Sequence, residues 1–477
     1  MRPDSPAINP EIVRSYDIRG RVGEQLTLQD ARALGLAVAT AAHRRRLQRI
    51  AVSRDGRSSS PELENAVIEG LLAGGVHVYP TGLGPTPQLY YAVRAAGLHG
   101  GIMVTGSHNP PDQNGFKLLL EGEPIFGAAL RDLVAIVPVP RDGGTVRQPI
   151  LQASNGRRVG AACIAESYAK YLAECAGDTS ALHVVWDCGN GAVGAIIAEL
   201  TDQLPGCHVL LNSRVDGRFP AHHPDPALEE NLRQLQSEVR ARNADVGIAF
   251  DGDGDRIGVV DATGAVIWPD QLLLFLAKDV LEAHCGATIV GDVKSSKVLF
   301  EGVHRLGGRA VMAPSGYVLV RQAMLRENAQ LAGEMSGHIV FSDCWHGTDD
   351  ALYAAMRLLR ALGRDNTSMA AFRSSLPVTL ATPELRVPCA ERRKSYVMRE
   401  VAARVAKTDV ELDTTDGLRV TTAQGWWLLR TSGTEEKLTA RCEAADEAGL
   451  ECLKKELVSQ LRQSGIEIDD TGVSATP

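Results

Sequence analysis

A chain of 477 residues, 44% hydrophobic and 23% charged, has ordinary globular composition and length enough for three or four domains with their own cores. Its formal net charge of −8 leaves no general basic footprint, which excludes bulk-charge binding to nucleic acid or an anionic membrane; an anionic ligand must be met by local cations and backbone dipoles. The nine cysteines (Cys163, Cys175, Cys188, Cys207, Cys285, Cys344, Cys389, Cys442 and Cys452) are scattered without a C-x-x-C pair and read as reduced, mostly buried thiols.

The first residues, Met1-Arg-Pro-Asp-Ser-Pro6, lack the apolar core of a signal peptide, and the apolar run Leu272 to Ala277 is far too short to span a bilayer. Cytoplasm is therefore the expected location. Along the chain, short apolar runs end abruptly in Gly, Asp or Ser loops: Gly101 to Thr105, His183 to Trp186, and Val246 to Phe250. Interspersed with such runs are stretches with a period near 3.6, namely Pro61 to Ala73, Leu228 to Arg242 and Ala351 to Leu362. That alternation predicts α/β units with largely buried strands. Polar, Pro- or Gly-rich interruptions near Val139 to Gly156, Asp261 to Gly264 and Arg364 to Pro377 divide the chain into four domains, 1–156, 157–261, 262–374 and 375–477. The first three read as α/β. The last reads as α+β: alternating segments, an amphipathic helix from Asp446 to Gln463, and a polar tail expected to be disordered.

Four loops carry unusual polar residues at strand ends, where ligands gather in open parallel sheets. The first, Thr105-Gly-Ser-His-Asn-Pro-Pro-Asp-Gln-Asn-Gly-Phe-Lys117, has glycines and prolines that predict an exposed turn. Its serine can serve as a covalent relay for a transferred group, or the loop can be no more than a polar turn. The second, Asp251-Gly-Asp-Gly-Asp-Arg256, spaces carboxylates at alternate positions, so that an extended segment would point them the same way. Two carboxylates 4 Å apart repel by roughly 4 kcal/mol at an effective dielectric of 20, so three converging ones require a cation, and Mg²⁺ suits an all-oxygen set. A Ca²⁺ loop of the EF-hand type would need Gly at position 6 and Glu at position 12, where Arg256 and Ala262 stand.

The third loop, Gly333-Glu-Met-Ser-Gly-His338, offers a glutamate suited to adjacent sugar hydroxyls, although the same residues can simply cap a turn. The fourth, Arg430-Thr-Ser-Gly-Thr434, concentrates donors that suit a phosphate dianion. Ser432 to Glu435 also matches a helix capping box, but the following Lys437 to Glu443 alternates like a strand.

Together and in this order, the four loops resemble the α-D-phosphohexomutase family, especially its bacterial phosphomannomutase/phosphoglucomutase branch. Further matches are Ser15-Tyr-Asp-Ile-Arg-Gly20, Asp187-Cys-Gly-Asn-Gly-Ala192, Phe219-Pro-Ala-His-His-Pro-Asp-Pro226 and Asp292-Val-Lys-Ser-Ser296. The resemblance implies a four-domain phosphohexomutase-like architecture, three similar α/β domains with mixed sheets plus a mobile C-terminal α+β domain. It implies phosphoserine at Ser107, Mg²⁺ on Asp251, Asp253, Asp255 and an oxygen of phosphorylated Ser107, sugar hydroxyls on Glu334 and Ser336, and the non-reacting phosphate on Arg430, Ser432, Gly433 and Thr434. Tyr16, Arg19, His108, Lys117, Arg256, Lys294 and His338 would line the cleft, with Arg19, Lys294 and His338 managing protons and charge.

The implied activity interconverts hexose 1-phosphate and hexose 6-phosphate, of mannose or glucose, through a hexose 1,6-bisphosphate that also serves as activator. The implied partners are small hexose phosphates, with no nucleic acid or membrane, and the implied state is a monomer or weak homo-oligomer. Alternatives are a phosphoglucosamine mutase, in which Gln more often replaces Met335, and a metal-dependent sugar phosphatase. A noncatalytic sugar-phosphate sensor would be expected to have lost Ser107 or an aspartate of the metal loop. Two departures stand out: Glu435-Glu436 follow Thr434 where an acidic or small residue and then proline are usual, and Tyr317, within Pro314 to Arg321, replaces a cleft histidine.

Overall fold

The computed structural model describes residues 8–136, 156–158, 164–177, 181–365, 367–432 and 436–466. Cys163, most of the boundary segment at 139–156, the tail expected to be disordered, and Gly433, Thr434 and Glu435 lie outside the described residues. The chain forms two compact units, one of residues Met1–Leu272 with Ser336–Arg373, the other of Leu273–Met335 with Ser374–Pro477.

The first unit contains two mixed sheets. In one, the strand order is Ile18–Arg21, Gln113–Leu120, Gly100–Val104, Arg49–Arg54, His77–Leu83. Gly100–Val104 runs parallel to Arg49–Arg54 but antiparallel to Gln113–Leu120, so the loop joining Val104 to Gln113 is a hairpin at the strand's carboxyl end. Helices Leu28–Arg44 and Ser60–Ala73 pack against each other; the first starts at a capping box in which Thr27 and Asp30 exchange bonds. In the second sheet, Leu182–Asp187 lies between Gly206–Leu211 and Val246–Phe250, parallel to both, and Ile257–Asp261 returns antiparallel to Val246–Phe250. The segment Asp251 to Arg256 is therefore the hairpin connection between two fully buried strands.

In the second unit, Thr288–Asp292 pairs in parallel with Arg309–Ala313 and Leu331–Gly333. The carboxy-terminal domain is an antiparallel sheet, Leu380–Ala381, Lys437–Ala444, Gly425–Thr431, Leu418–Thr422, Glu411–Asp413, backed by helices Glu391–Val405 and Glu447–Gln463. Trp427, Val397, Val401, Leu453, Leu457 and Leu461 fill its core. The architecture is thus α/β with mixed sheets and an α+β carboxy-terminal domain.

The elements read from periodicity recur within a few residues. Val246–Phe250 is a strand at the expected bounds, Ala351–Asp365 a helix three residues longer than read, and Glu447–Gln463 a helix with Asp446 as its cap. Leu228 to Arg242 splits into a 3₁₀ turn, Glu229–Leu232, and a helix, Arg233–Arg242. Lys437–Ala444 is a strand, and the Ser432 N–H donates to the Lys437 carbonyl, so the sequence after the capping-box match continues as a strand.

The cysteines depart from expectation. All eight described ones are free, but Cys207, Cys285, Cys344 and Cys452 are exposed while only Cys188, Cys389 and Cys442 are buried. A small thiol packs in a core without demanding one, and these four sit at loops or on outward faces. Among the described residues, no helix is long and apolar enough to cross a membrane.

Candidate active site

Ser107 sits in a turn assembled by two residues of another loop. Asp55 Oδ2 accepts from the Thr105 hydroxyl at 2.8 Å and from the Gly106 N–H at 3.2 Å, and Thr105 Oγ1 accepts from the Ser107 N–H at 2.8 Å. The guanidinium of Arg57 donates to the carbonyls of Ser107, Asn109, Pro110 and Gln113 at 2.6–3.0 Å. Gly106 is required here, because a Cβ would stand 2.6 Å from the Arg57 guanidinium carbon. Ser107 itself is held at φ +50°, a left-handed conformation costly for a non-glycine residue. The loop was expected to be exposed, but Ser107 is only 1% exposed. The metal loop lies directly on it: a Cβ on Gly252 would come within 2.3 Å of the Ser107 carbonyl oxygen.

Asp251, Asp253 and Asp255 converge with ligand oxygens within 4.8 Å of one another, all buried. They do so by a different route from the extended segment expected. Asp251 Oδ1 accepts from the N–H groups of Gly254, Asp255 and Arg256 at 2.9–3.3 Å, and Gly254 has φ +75°, so the chain curls around the first carboxylate. The glycines supply that curvature. Ser107 Oγ donates to Asp251 Oδ2 at 2.9 Å.

Burial, then Asp255 and Asp253, push Asp251 well above the usual carboxylate range. Burial acts the same way on Asp255, but Lys117 and then His338 override it and hold that carboxyl low. Two buried oxygens, Asp253 Oδ1 and Asp255 Oδ1, have no hydrogen-bond donor. Converging carboxylates, a serine oxygen and two unsatisfied buried acceptors fit a hard divalent cation.

Of the other residues expected here, Lys117, from strand Gln113–Leu120, reaches Asp253 Oδ2 at 2.7 Å and also bonds Asp255 Oδ2. Burial alone would lower its pKa, but these carboxylates raise it well above the ordinary value. Arg19, from strand Ile18–Arg21, pairs with Asp17 at 2.7 Å and donates to Asn109 Oδ1 at 2.8 Å; Tyr16 is half-buried two residues before that strand. Arg256 lies 4.0 Å from Asp251 Oδ2 and 3.9 Å from Asp225 Oδ1. His108 is 3.1 Å from Asp225, and burial, aided by Arg256, lowers its pKa to about 4. His338 Nε2 lies 3.5 Å from Asp255 and 3.8 Å from Asp349, with Ser336 Oγ 2.8 Å from its Nδ1. The Gly337 carbonyl accepts from the Ile257 N–H, which ties this loop to the strand leaving the metal loop.

The second unit gathers the remaining residues. Lys294 Nζ lies 3.5 Å from Glu384 and 4.0 Å from Asp292. Asp292 accepts from the hydroxyls of Ser295 and Ser315 at 2.9 and 3.0 Å. Glu334 Oε1 accepts from the Gly316 N–H at 2.8 Å, just before Tyr317, which opens helix Tyr317–Arg326. Arg430 pairs with Asp416 at 2.9 Å, and Asp416 accepts from the Ser315 N–H at 3.0 Å. Lys394 donates to the Ser432 carbonyl at 2.9 Å.

Sequence reasoning missed Asp55, Arg57, Asp225, Asp349, Glu384 and Asp416. Asp349 is buried beside His338 and Asp255; burial, with Asp255, raises its pKa to about 6. Asp225 stands within the segment Phe219 to Pro226, which was the available signal; the others have no local pattern.

The phosphoglucomutase/phosphomannomutase family accounts for this arrangement. Its α/β/α domains I, II and III match residues 10–138, 166–264 and 268–379, and its C-terminal domain matches 384–460. The chain belongs to that family. A phosphomannomutase/phosphoglucomutase of Pseudomonas aeruginosa is 40% identical over 96% of this chain and 97% of its own, and a phosphoglucomutase of Neisseria gonorrhoeae is 39% identical over 93% and 95%. A crystal structure of a phosphoglucomutase/phosphomannomutase family protein from Burkholderia thailandensis superposes with a TM-score of 0.86 at 36% identity, covering 96% of this chain and 98% of that one. The protein is an enzyme of the mutase type.

Proposed function

We propose that the chain interconverts hexose 1-phosphate and hexose 6-phosphate, of mannose, glucose or both, through phosphorylated Ser107 and a hexose 1,6-bisphosphate. The observation that carries this reading is the Ser107 hydroxyl, 2.9 Å from Asp251 within a buried triad of carboxylates. Mg²⁺ held by Asp251, Asp253, Asp255 and an oxygen on Ser107 would neutralise charge on the transferring phosphoryl group.

In the forward half, the oxygen–phosphorus bond at Ser107 breaks and a new one forms to the free sugar hydroxyl, whose proton passes to His338 or Lys294. Lys117, Arg19 and Arg256 add fixed positive charge, and His108 orients the serine loop. Glu334 and Ser336 hold sugar hydroxyls, with Tyr16 and Tyr317 as further contacts, while Arg430, Ser432, Gly433 and Thr434 hold the phosphate that is not transferring. The bisphosphate turns end for end, returns its original phosphate to Ser107, and leaves as the isomeric monophosphate. Remote binding of the second phosphate orients the sugar in either direction.

The test supplies mannose, glucose and glucosamine 1-phosphates separately with Mg²⁺ and trace bisphosphate, following 6-phosphate against free phosphate. Mannose or glucose 6-phosphate should form, and intact mass should show one phosphate on the wild type and none at this site in Ser107→Ala. Turnover of the glucosamine ester alone would reassign the substrate, release of free phosphate alone would make the enzyme a phosphatase, and full mutase activity in Ser107→Ala would end the phosphoserine mechanism.

A further inference from the structure

The segment Phe219 to Pro226 has no role in the reaction as set out above, yet it forms a turn held from both sides. His222 Nε2 lies 2.8 Å from Asp187 Oδ2, whose other oxygen accepts from the Gly189 N–H and the Asn212 amide, both at 2.9 Å. On the far side, the Asp225 N–H donates to the His223 carbonyl at 2.9 Å, Asp225 Oδ1 accepts from the Ala227 N–H at 3.1 Å, and the Asp225 carbonyl accepts from the Asn231 amide at 2.8 Å. The turn sets His223 and Asp225 beside His108, with Asp225 Oδ2 3.1 Å from His108 Nδ1 and the two imidazoles edge-to-face at 6.4 Å. One ligand atom from each of the three lies within 4.8 Å of the others.

We propose that His108, His223 and Asp225 form a second divalent-metal site, separate from the aspartate triad and selective for a borderline ion such as Zn²⁺ over Mg²⁺. Two imidazole nitrogens and one carboxylate oxygen are a donor set for Zn²⁺ or Co²⁺, which accept tetrahedral coordination and leave a fourth position for water; Mg²⁺ demands six oxygens. Asp225 is suited to the task because its two oxygens are already divided. Oδ1 faces Arg256, 3.9 Å away, and the Ala227 N–H, while Oδ2 faces His108. With metal–ligand bonds of about 2.0–2.1 Å, donors on one tetrahedral ion stand roughly 3.3 Å apart, so the group must contract slightly. His223, the exposed member, supplies that movement by side-chain rotation. An ion bound here fixes the His108 ring, next to Ser107 in the same loop, and removes it from its role in orienting the serine, so occupancy inhibits the mutase even when Mg²⁺ is saturating.

Co²⁺ is the probe, titrated into the whole protein in excess Mg²⁺ and read by visible ligand-field absorption. Wild type should develop the intense bands of a tetrahedral site, in parallel with loss of turnover. His223→Ala, which touches neither the triad nor Ser107, should keep its Mg²⁺-supported activity while Co²⁺ binding and inhibition weaken at least about tenfold. Asp253→Asn, defective in the triad, should keep the bands. Bands that persist unchanged in His223→Ala, or that vanish in Asp253→Asn, would place the ion in the triad and overturn the proposal, as would the absence of tetrahedral bands in wild type.

Discussion

Arg57 Nη2 donates to the carbonyl oxygen of Ser107 at 2.7 Å, and the same buried guanidinium bonds three further carbonyls of that loop. A planar fork with five donors can satisfy diverging carbonyls in this way, and an ammonium cannot. Ser107 is held in its left-handed conformation by this clamp and by Thr105. Arg57→Lys should therefore misplace the serine oxygen without touching the sugar. We expect kcat to fall about 10- to 100-fold with KM nearly unchanged, since displacing a reacting group by 1 Å is costly. Steady-state kinetics check this, alongside the rate at which bisphosphate labels Ser107 by intact mass. A normal labelling rate with raised KM would show that Arg57 serves substrate binding instead.

Asp253 Oδ1, like that of Asp255, has no donor, while Asp253 Oδ2 is shared by Lys117 and the Thr86 hydroxyl. Asp253→Asn removes a ligand charge and leaves Lys117 with one carboxylate partner fewer. Mg²⁺ affinity and turnover should both drop by orders of magnitude, with the fold retained. Calorimetric titration of Mg²⁺ and turnover after exhaustive chelation are the measurements, and wild-type activity that survives chelation would contradict the metal assignment.

How much of this site was legible follows from the kind of signal each residue leaves. Asp251, Asp253 and Asp255 stand together in the chain between two buried strands, so spacing and hydrophobic runs exposed them. Arg57 is 50 residues from Ser107, and Asp349 is 94 from Asp255; such pairs meet only through tertiary folding and leave no period or motif. The extended geometry inferred for the metal loop failed because the N–H groups of Gly254, Asp255 and Arg256 bend back to Asp251 Oδ1, a bond that spacing alone does not reveal. The strand Val246–Phe250, buried along its length, was read at its bounds, Gly100–Val104 and Leu182–Asp187 within a residue at each end, whereas Leu228 to Arg242 kept its helical period across a 3₁₀ start.

Asp350 offers a pH test away from the metal. It caps helix Ala351–Asp365 by accepting from the Tyr353 N–H at 2.9 Å, and it accepts from the Tyr168 hydroxyl at 2.8 Å. Burial raises its pKa to about 7 despite these bonds. The folded state thus binds this proton more tightly than the unfolded chain, whose carboxyl titrates near 4. The resulting stability is fully present below about pH 4, is lost as pH rises through about 7, and stays lost above. Asp350→Asn keeps an acceptor for the Tyr353 N–H and cannot ionise. Its melting temperature should exceed that of wild type above pH 7, with the difference shrinking toward pH 4. A difference independent of pH would mean that Asp350 is ionised throughout.

Tyr317 stands where the family resemblance of the sequence implies a cleft histidine. It opens helix Tyr317–Arg326, half-buried, directly after Gly316, whose N–H is held by Glu334, and Ser315, whose N–H is held by Asp416. The tyrosine is therefore placed by a short turn that the proposed sugar-binding glutamate holds through the Gly316 N–H. A phenol donates a hydrogen bond well but is a poor base near neutral pH, whereas an imidazole exchanges protons there. A tyrosine that replaces an essential proton carrier would cripple the enzyme, so the position is expected to contact substrate while Lys294 or His338 carries the proton. Tyr317→Phe should then keep substantial turnover and lose about 0.5–1.5 kcal/mol of substrate affinity, one neutral hydrogen bond. Tyr317→His should also turn over. The pH profiles of kcat for wild type and both variants decide the matter: a collapse of kcat in Tyr317→Phe at unchanged substrate affinity would show that the phenol takes part in the chemistry and would remove the proton role from Lys294 and His338.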